Sequence, residues 1–226
     1  SSAFEYCRNL KSINIPLAVA EIRANAFQYC DKLKDVYYEG DLSSWCRINY
    51  SGNLGTWGQE NPLYNGASLY INNSTKLTEL VIPSDITEVK SYTFVGCNSI
   101  TSITIGDHVT KIGAMAFKNT TPTSVSVANS VQTIERYAFS GCLNLETVNI
   151  PEGLTQISDY MSSSCGKLQS ITIPESVQSI GDRAFSYCEA LQSITIPGSV
   201  TSIGDAAFES CVGLTEVTIP ENVTEI

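Results

Sequence analysis

A short apolar pattern returns along this chain at a fixed interval of 23 residues. The prolines that mark it most clearly are Pro151, Pro174, Pro197 and Pro220. A period of this size is typical of a solenoid, in which similar coils stack and bury one continuous core. We therefore expect a single elongated repeat domain over residues 1–226, where length alone would suggest one or two globular domains.

Each unit has the form Leu-x-x-Ile-x-Ile-Pro-x-x-Val-x-x-Ile-Gly-x-x-Ala-Phe-x-x-Cys, as in residues 191–211. The alternation of β-branched and polar residues at its start predicts a strand with one buried face. The proline ends that strand because it has no N–H for a ladder. The Val-x-x-Ile pair predicts a second, short extended piece. The Ala-Phe-x-x-Cys spacing predicts a helical or 3₁₀ turn, with Asp182 and Asp205 at N-cap positions.

The whole unit resembles the BspA-like class of leucine-rich repeats, with proline where most leucine-rich repeats carry asparagine. The resemblance covers nearly all of the chain. It implies a right-handed solenoid with a parallel β-sheet on one face and short strands plus short helical or 3₁₀ turns on the other. It also implies surface or secreted proteins of bacteria and some protozoan parasites, often linked to adhesion.

The regular pattern predicts where the strands of the sheet lie and where the array is interrupted. We expect strands near 10–15, 33–38, 77–82, 100–105, 123–127, 145–150, 168–173, 191–196 and 214–219. Leu77 follows Leu33 by 44 residues where one unit predicts 23, so about 21 residues are inserted, within an aromatic-rich stretch at about 39–73. Both ends of the chain fall in mid-unit, and we expect a piece of a longer protein.

Inside the insertion, residues 41–48 predict a short helix. Asp41 would cap it, and Leu42, Trp45 and Ile48 would share its inner face. Residues 68–72 predict a strand that turns back in a hairpin toward residue 77.

Two slots of the repeat contain nearly all the cysteine and phenylalanine. Seven of the eight cysteines occupy one slot, and Cys46 lies elsewhere. We expect buried free thiols there, because Thr120 fills the same slot in another unit. All seven phenylalanines occupy another slot, which holds Ser162 in one unit. Tyr160 or Met161 is expected to fill the space that the missing ring leaves.

The charge and the motif inventory exclude several classes of function. The net charge of −10 and the pI near 4.5 argue against nucleic acid and anionic membranes as partners. No apolar run is long enough to span a bilayer. No catalytic or phosphate-binding motif occurs, and we expect no metal and no cofactor. The single histidine, His108, is expected to be an exposed turn residue.

The outward positions of the strands form the first candidate binding surface. They are expected to stand in one line along the sheet, and they are Asn14, Val81, Thr104, Ser126, Asn149, Thr172, Thr195 and Thr218. Repeat proteins commonly bind through such a face. The alternative is that threonine is simply a favourable strand residue whose ladders stabilise the sheet.

The insertion is the second candidate surface. Trp57, between Gly55 and Gly58, and Tyr50 are candidate contact residues, whereas Trp45 is expected in the core. The candidate ligand-binding residues are thus Trp57, Tyr50, Thr104, Asn149, Thr172, Thr195 and Thr218.

Without a catalytic motif we expect a non-enzymatic binding module, and the resemblance implies that it acts in adhesion, at the cell surface or outside the cell. Its partner would be a surface or extracellular-matrix protein, or a glycan, of a host or neighbouring cell. The alternative is a spacer or stalk within a larger surface protein.

Overall fold

The repeats wind into a parallel β-solenoid of about eight turns, as the sequence predicts. The computed structural model describes residues 2–51 and 58–226. In chain order the elements are β1 (Ser12–Ile15), β2 (Glu21–Arg23), β3 (Asp35–Tyr38), α1 (Leu42–Arg47), β4 (Asn49–Ser51), β5 (Ser68–Ile71), β6 (Thr75–Lys76), β7 (Glu79–Val81), β8 (Glu88–Val89), β9 (Ser102–Ile105), β10 (Lys111–Ile112), β11 (Ser124–Val127), β12 (Thr133–Ile134), β13 (Thr147–Val148), β14 (Gln156–Ile157), β15 (Ser170–Thr172), β16 (Ser179–Ile180), β17 (Ser193–Thr195) and β18 (Ser202–Ile203).

The main sheet has six parallel strands in the order β17-β15-β13-β11-β9-β7. Its register places equivalent residues of successive coils opposite one another, such as Ile103 beside Val125 and Ile171 beside Ile194. Because these β-branched side chains all point inward, the strands bury one face in a continuous core. A second sheet, in the order β1-β3-β5-β6, precedes it along the chain.

The Val-x-x-Ile part of each unit forms the predicted second strand. These short strands pair in parallel in the orders β12-β10-β8 and β14-β16-β18, and β2 pairs with β4. The isoleucine of each strand points into the core, as Ile180 and Ile203 do.

The Ala-Phe-x-x-Cys segment differs from the predicted helical turn. Within each segment, a residue on either side of the phenylalanine adopts a positive φ, as Arg183 (50°) and Tyr187 (59°) do around Phe185. A residue in this left-handed region ends a right-handed helix. Alternate N–H groups consequently point to the next coil, from Arg183 N to Asp205 O at 2.9 Å, Phe185 N to Ala207 O at 2.9 Å and Tyr187 N to Glu209 O at 2.7 Å.

The aspartates that were expected to cap helices join neighbouring coils. The backbone N–H of Asp205 donates to Asp182 Oδ1 at 2.9 Å, and that of Asp182 donates to Asp159 Oδ1 at 3.0 Å. These carboxylates therefore satisfy backbone donors that would otherwise need water at the edge of the turn segment.

The phenylalanine slot builds a column of stacked rings inside the solenoid. Ring centroids lie 5.7 Å apart for Phe94 and Phe117 and 5.5 Å apart for Phe117 and Phe139. Ser162 interrupts the column, and its buried hydroxyl has no hydrogen-bond partner among the described residues. The adjacent Met161 is completely buried in the same core, so it supplies the apolar side chain that this coil needs.

The cysteine slot has a specific bonding role. The eight cysteines are free, and all except Cys7 are buried. Cys188 Sγ donates to Ser162 O at 3.2 Å, and Cys211 Sγ donates to Phe185 O at 3.1 Å, in each case reaching the preceding coil. Thr120 Oγ1 also donates to a backbone carbonyl, but within its own coil, to Phe117 O at 2.6 Å. The slot thus accepts threonine because it requires a small side chain that can donate a hydrogen bond.

The insertion contains the predicted helix and hairpin. Asp41 caps α1 by accepting a hydrogen bond from Ser44 N at 2.8 Å. Strand β5 pairs in parallel with β3 and in antiparallel fashion with β6. Strand β5 therefore extends the first sheet. The turns of residues 58–67 lie so close to the following coil that a Cβ at Gly96 would clash with Tyr64 O.

The strand that was predicted at 214–219 does not form. This segment makes no ladder with β17, and Val217 and Ile219 are exposed, whereas the equivalent Ile194 and Ile196 are buried. The prediction was wrong because an apolar pattern creates a strand only where its backbone groups pair with a neighbour.

The coil that lacks phenylalanine gives a stability test. Met161→Ala is expected to lower the free energy of unfolding by about 2–5 kcal/mol. Ser162→Phe alone is expected to lower it by about 1–3 kcal/mol through overpacking. The double substitution restores the Ala-Phe pair and should recover wild-type stability or exceed it. Urea denaturation of all four proteins measures the coupling, and purely additive losses would show that Met161 does not substitute for the ring.

Burial of the thiols predicts a selective pattern of alkylation. Desolvation raises the pKa of both the Cys142 and Cys188 thiols to about 12. About one in ten thousand of these thiols would then be ionised at pH 8, and the thiolate is the reactive form. Brief iodoacetamide treatment at pH 8, followed by mass spectrometry, should label exposed Cys7 and spare both. The same treatment in guanidinium should label all eight cysteines. Rapid labelling of Cys142 in the native protein would contradict the burial of this thiol.

Candidate functional site

The outward face of the six-stranded sheet carries two rows of small polar side chains. In the first row Ser102, Ser124, Thr147, Ser170 and Ser193 follow one another in register. The second row, two residues further along each coil, contains Thr104, Ser126, Asn149, Thr172 and Thr195. All are exposed except the partly buried Ser102. Their spacing is set by the backbone ladder beneath them, so the rows are rigid and regular.

These rows form the floor of an open groove of about 870 Å³ over β9, β11, β13 and β15. Glu152 and Glu175 line it from the turns that follow the strands. No charged residue stands in either row between β9 and β17. The floor therefore offers neutral hydroxyl groups, each of which can both donate and accept a hydrogen bond.

The predicted strand residues are only partly brought together. Thr104, Thr172 and Thr195 lie exposed in the second row. Thr218 is also exposed, but it lies in the segment that forms no strand, so the structure does not align it with the others.

Asn149 has a bonding role that its sequence position did not indicate. Its Oδ1 accepts from Val127 N at 2.8 Å, and its Nδ2 donates to Val127 O at 2.6 Å. Strand β13 ends at Val148, so its main chain does not pair with Val127 at the end of β11. The Asn149 side-chain amide takes the place of that main-chain partner. A ligand would have to compete with these two bonds to engage the Asn149 amide.

The aromatic residues of the insertion occupy different environments. Trp45 is completely buried, as predicted, and its Nε1 donates to Thr93 O at 3.1 Å. The ring of Tyr50 packs near Trp45 with centroids 6.3 Å apart, and its hydroxyl is buried. Burial raises the pKa of Tyr50 well above its usual value. Trp57 lies outside the described residues, and the contact roles of Tyr50 and Trp57 stay predictions.

The outward row of the first sheet contains two residues that the sequence reasoning missed. Asn14, Tyr37 and Tyr70 stand side by side on β1, β3 and β5. The tyrosine rings stack with centroids 4.6 Å apart and an angle of 26° between them. The sequence could have identified Tyr37 as an outward residue. It lies between the inward Val36 and Tyr38, and it follows Asn14 by one repeat unit of 23 residues.

His108 is not the exposed turn residue that was expected. Its side chain is 22% exposed, and its Nε2 is buried without a hydrogen-bond partner among the described residues. The imidazole folds back over Gly106, which has no side chain to exclude it. The Asp107 carboxylate lies 3.9 Å from Nδ1 of the imidazole. No other side chain in the described part of the chain is paired with this histidine.

Charge and metal-ligating groups are not concentrated at the groove. Lys111 bridges Glu88 and Glu135 at 3.2 and 2.9 Å, but these residues stand on or beside the short strands of another face. The described residues contain no cluster of side chains suited to a metal ion. None of the helices in the described part of the chain has the length and apolar character needed to cross a bilayer.

The sequence matches a family model described as a BspA type leucine rich repeat region, in six copies over residues 1–52, 68–188 and 112–226. No curated protein matches it. A leucine-rich repeat protein of Treponema pallidum is similar, with 32% identity and a TM-score of 0.60 over 64% of this chain and 71% of that one.

Two further solved structures have the same fold. A leucine-rich repeat protein from Bacteroides ovatus is 26% identical, with a TM-score of 0.60 over 99% of this chain and 46% of its own length. One from Eubacterium ventriosum is 21% identical, with a TM-score of 0.68 over 95% of this chain and 57% of its own. This chain thus spans less than half the length of the B. ovatus protein. The family match covers most of the sequence, and the chain belongs to the BspA-type leucine-rich repeat family.

Proposed function

We propose that this chain is a non-enzymatic binding module that acts at the cell surface or outside the cell. Its partner is a surface or extracellular-matrix protein, or a glycan, which lies along the groove of the six-stranded sheet. The observation that carries the proposal is the double row of small, mostly exposed polar side chains held in register over β9 to β17. Leucine-rich repeats generally mediate protein binding.

A rigid and regular face favours binding through many weak contacts. Because the backbone groups of neighbouring strands bond to each other, the side chains above them are already in place before a partner arrives. Less ordering entropy is then lost on binding. The absence of charge from the two rows favours a partner that presents neutral polar groups, and the net charge of −10 disfavours nucleic acid.

A spacer is the second candidate function, and one observation favours it. Several exposed threonines bond to the array itself, since Thr101 Oγ1 donates to Thr78 O at 3.0 Å and Thr201 Oγ1 donates to Gln178 O at 3.2 Å. Threonine at such positions stabilises coil stacking with no ligand involved. A spacer would hold another domain away from the cell and would bind nothing through its groove.

A bulky charge in the groove tests the proposed function. Thr172→Arg should reduce binding to immobilised extracellular-matrix proteins or to a glycan array at least about tenfold, because the long arginine side chain obstructs the groove. Thr133→Arg is the matched control, since Thr133 is an exposed strand threonine on another face. Its binding should equal that of the wild type.

Other outcomes of the same screen would overturn the assignment. Binding that survives Thr172→Arg but disappears in a Trp57→Ala, Tyr50→Ala variant would place the site in the insertion. A wild-type protein that binds nothing on either panel would support the spacer.

A further inference from the structure

The stacked pair of Tyr37 and Tyr70 is an aromatic surface feature that lies outside the proposed binding groove. Both rings stand on the outward face of the first sheet and are half-buried. The equivalent row of the main sheet has serine, threonine or asparagine from β9 to β17. The core does not require these rings, because the inward positions of the same strands are filled by Val36, Tyr38 and Leu69.

The two faces of this ring pair have different neighbours. On the Tyr70 side, the Lys76 ammonium lies 6.0 Å from the ring centroid and covers it. On the Tyr37 side, the next outward residue is Asn14, which is exposed and shorter than a tyrosine ring. The Tyr37 ring therefore stands as a wall above β1, with Asn14 at its foot. The name Tyr37 ledge is used here for the surface formed by Asn14, Asp35, Tyr37 and Tyr70.

Two polar side chains of the ledge stand beside the tyrosine rings. Asp35 precedes Tyr37 by two residues on the same face of β3, and Asn14 carries an exposed amide. Desolvation and a hydrogen bond to the Asp35 carboxylate raise the pKa of Tyr70. An aromatic wall with a carboxylate and an amide beside it combines apolar area with directed hydrogen bonding.

We propose that the Tyr37 ledge, a surface separate from the groove, binds a neutral sugar ring of a glycan, an inference that goes beyond the proposed function. One face of a pyranose presents C–H groups, which pack against the Tyr37 ring. The hydroxyl groups at its rim then bond to the Asn14 amide and the Asp35 carboxylate.

The surface chemistry favours a glycan over a peptide. A peptide that adds a strand would pair with the outer edge of β1, whereas the Tyr37 ring stands on the face of the sheet, above β3, whose backbone is already paired with β1 and β5. A peptide anchored by apolar side chains needs a deep apolar pocket, and the ledge is an open step. The Tyr37 and Tyr70 stack also stabilises the sheet as a cross-strand pair, so the test must separate binding from stability.

Affinity electrophoresis and calorimetry against soluble neutral polysaccharides (β-glucan, mannan, galactan and xylan) provide the test. The Tyr37→Ala, Tyr70→Ala protein should bind the retained polysaccharide at least about tenfold more weakly, and the Tyr37→Phe, Tyr70→Phe protein within about threefold of wild type. Tyr6→Ala, Tyr29→Ala is the matched control, because these rings are exposed and stacked at 4.6 Å in another part of the coil. This control should bind as the wild type does.

Asn14→Trp provides a second route that leaves the tyrosine pair intact. The exposed indole would occupy the ledge, so binding should fall by the same factor while the melting temperature stays near that of the wild type. Equal losses in the Tyr6, Tyr29 control, or unchanged binding in both ledge variants, would overturn the inference.

The result also separates this inference from the proposed function. Loss of binding in Thr172→Arg with full binding in the ledge variants would leave the groove as the site and remove the ledge. Binding of matrix proteins with no polysaccharide retained would do the same. Failure of the wild type to bind any protein or polysaccharide would remove both.

Discussion

The alignment of each residue with its counterpart one coil away is the constraint on which this molecule depends. Backbone hydrogen bonds between coils fix that register. Equivalent side chains of successive coils then pack against each other, as Phe94 does with Phe117 and Phe117 with Phe139. Because each coil contacts mainly its neighbours, stability accumulates coil by coil. The same register that builds the core also arranges the outward hydroxyl groups in rows, so the candidate binding surface is a direct product of the packing beneath it.

The sequence predicted the fold well because repetition identifies which positions are equivalent. One isoleucine pattern, seen many times, predicts the sheet, and the cysteine slot predicts burial. The helix at residues 41–48 was equally accessible, since an N-cap aspartate and an apolar face at helical spacing occur together there. These features depend on local sequence and on one period, and both are visible without coordinates.

Features that depend on contacts between particular coils were not accessible in the same way. The unit pattern cannot show that the Asn149 amide replaces a main-chain partner for Val127. It also cannot show that Tyr37 and Tyr70, 33 residues apart, become neighbours, because the insertion shifts the period between them. The turn segments were expected to form helical or 3₁₀ turns, and only the dihedral angles reveal left-handed residues such as Arg183 and Tyr187.

Those left-handed residues bear on how such arrays grow in evolution. A non-glycine residue with positive φ costs of the order of 1 kcal/mol, and each turn segment contains about two of them. The cost is offset only when the N–H groups they redirect find carbonyls on an adjacent coil. A new coil is therefore viable only beside an existing one and in the same register. Duplication of a whole 23-residue unit would preserve both conditions, whereas the gain or loss of part of a unit would not.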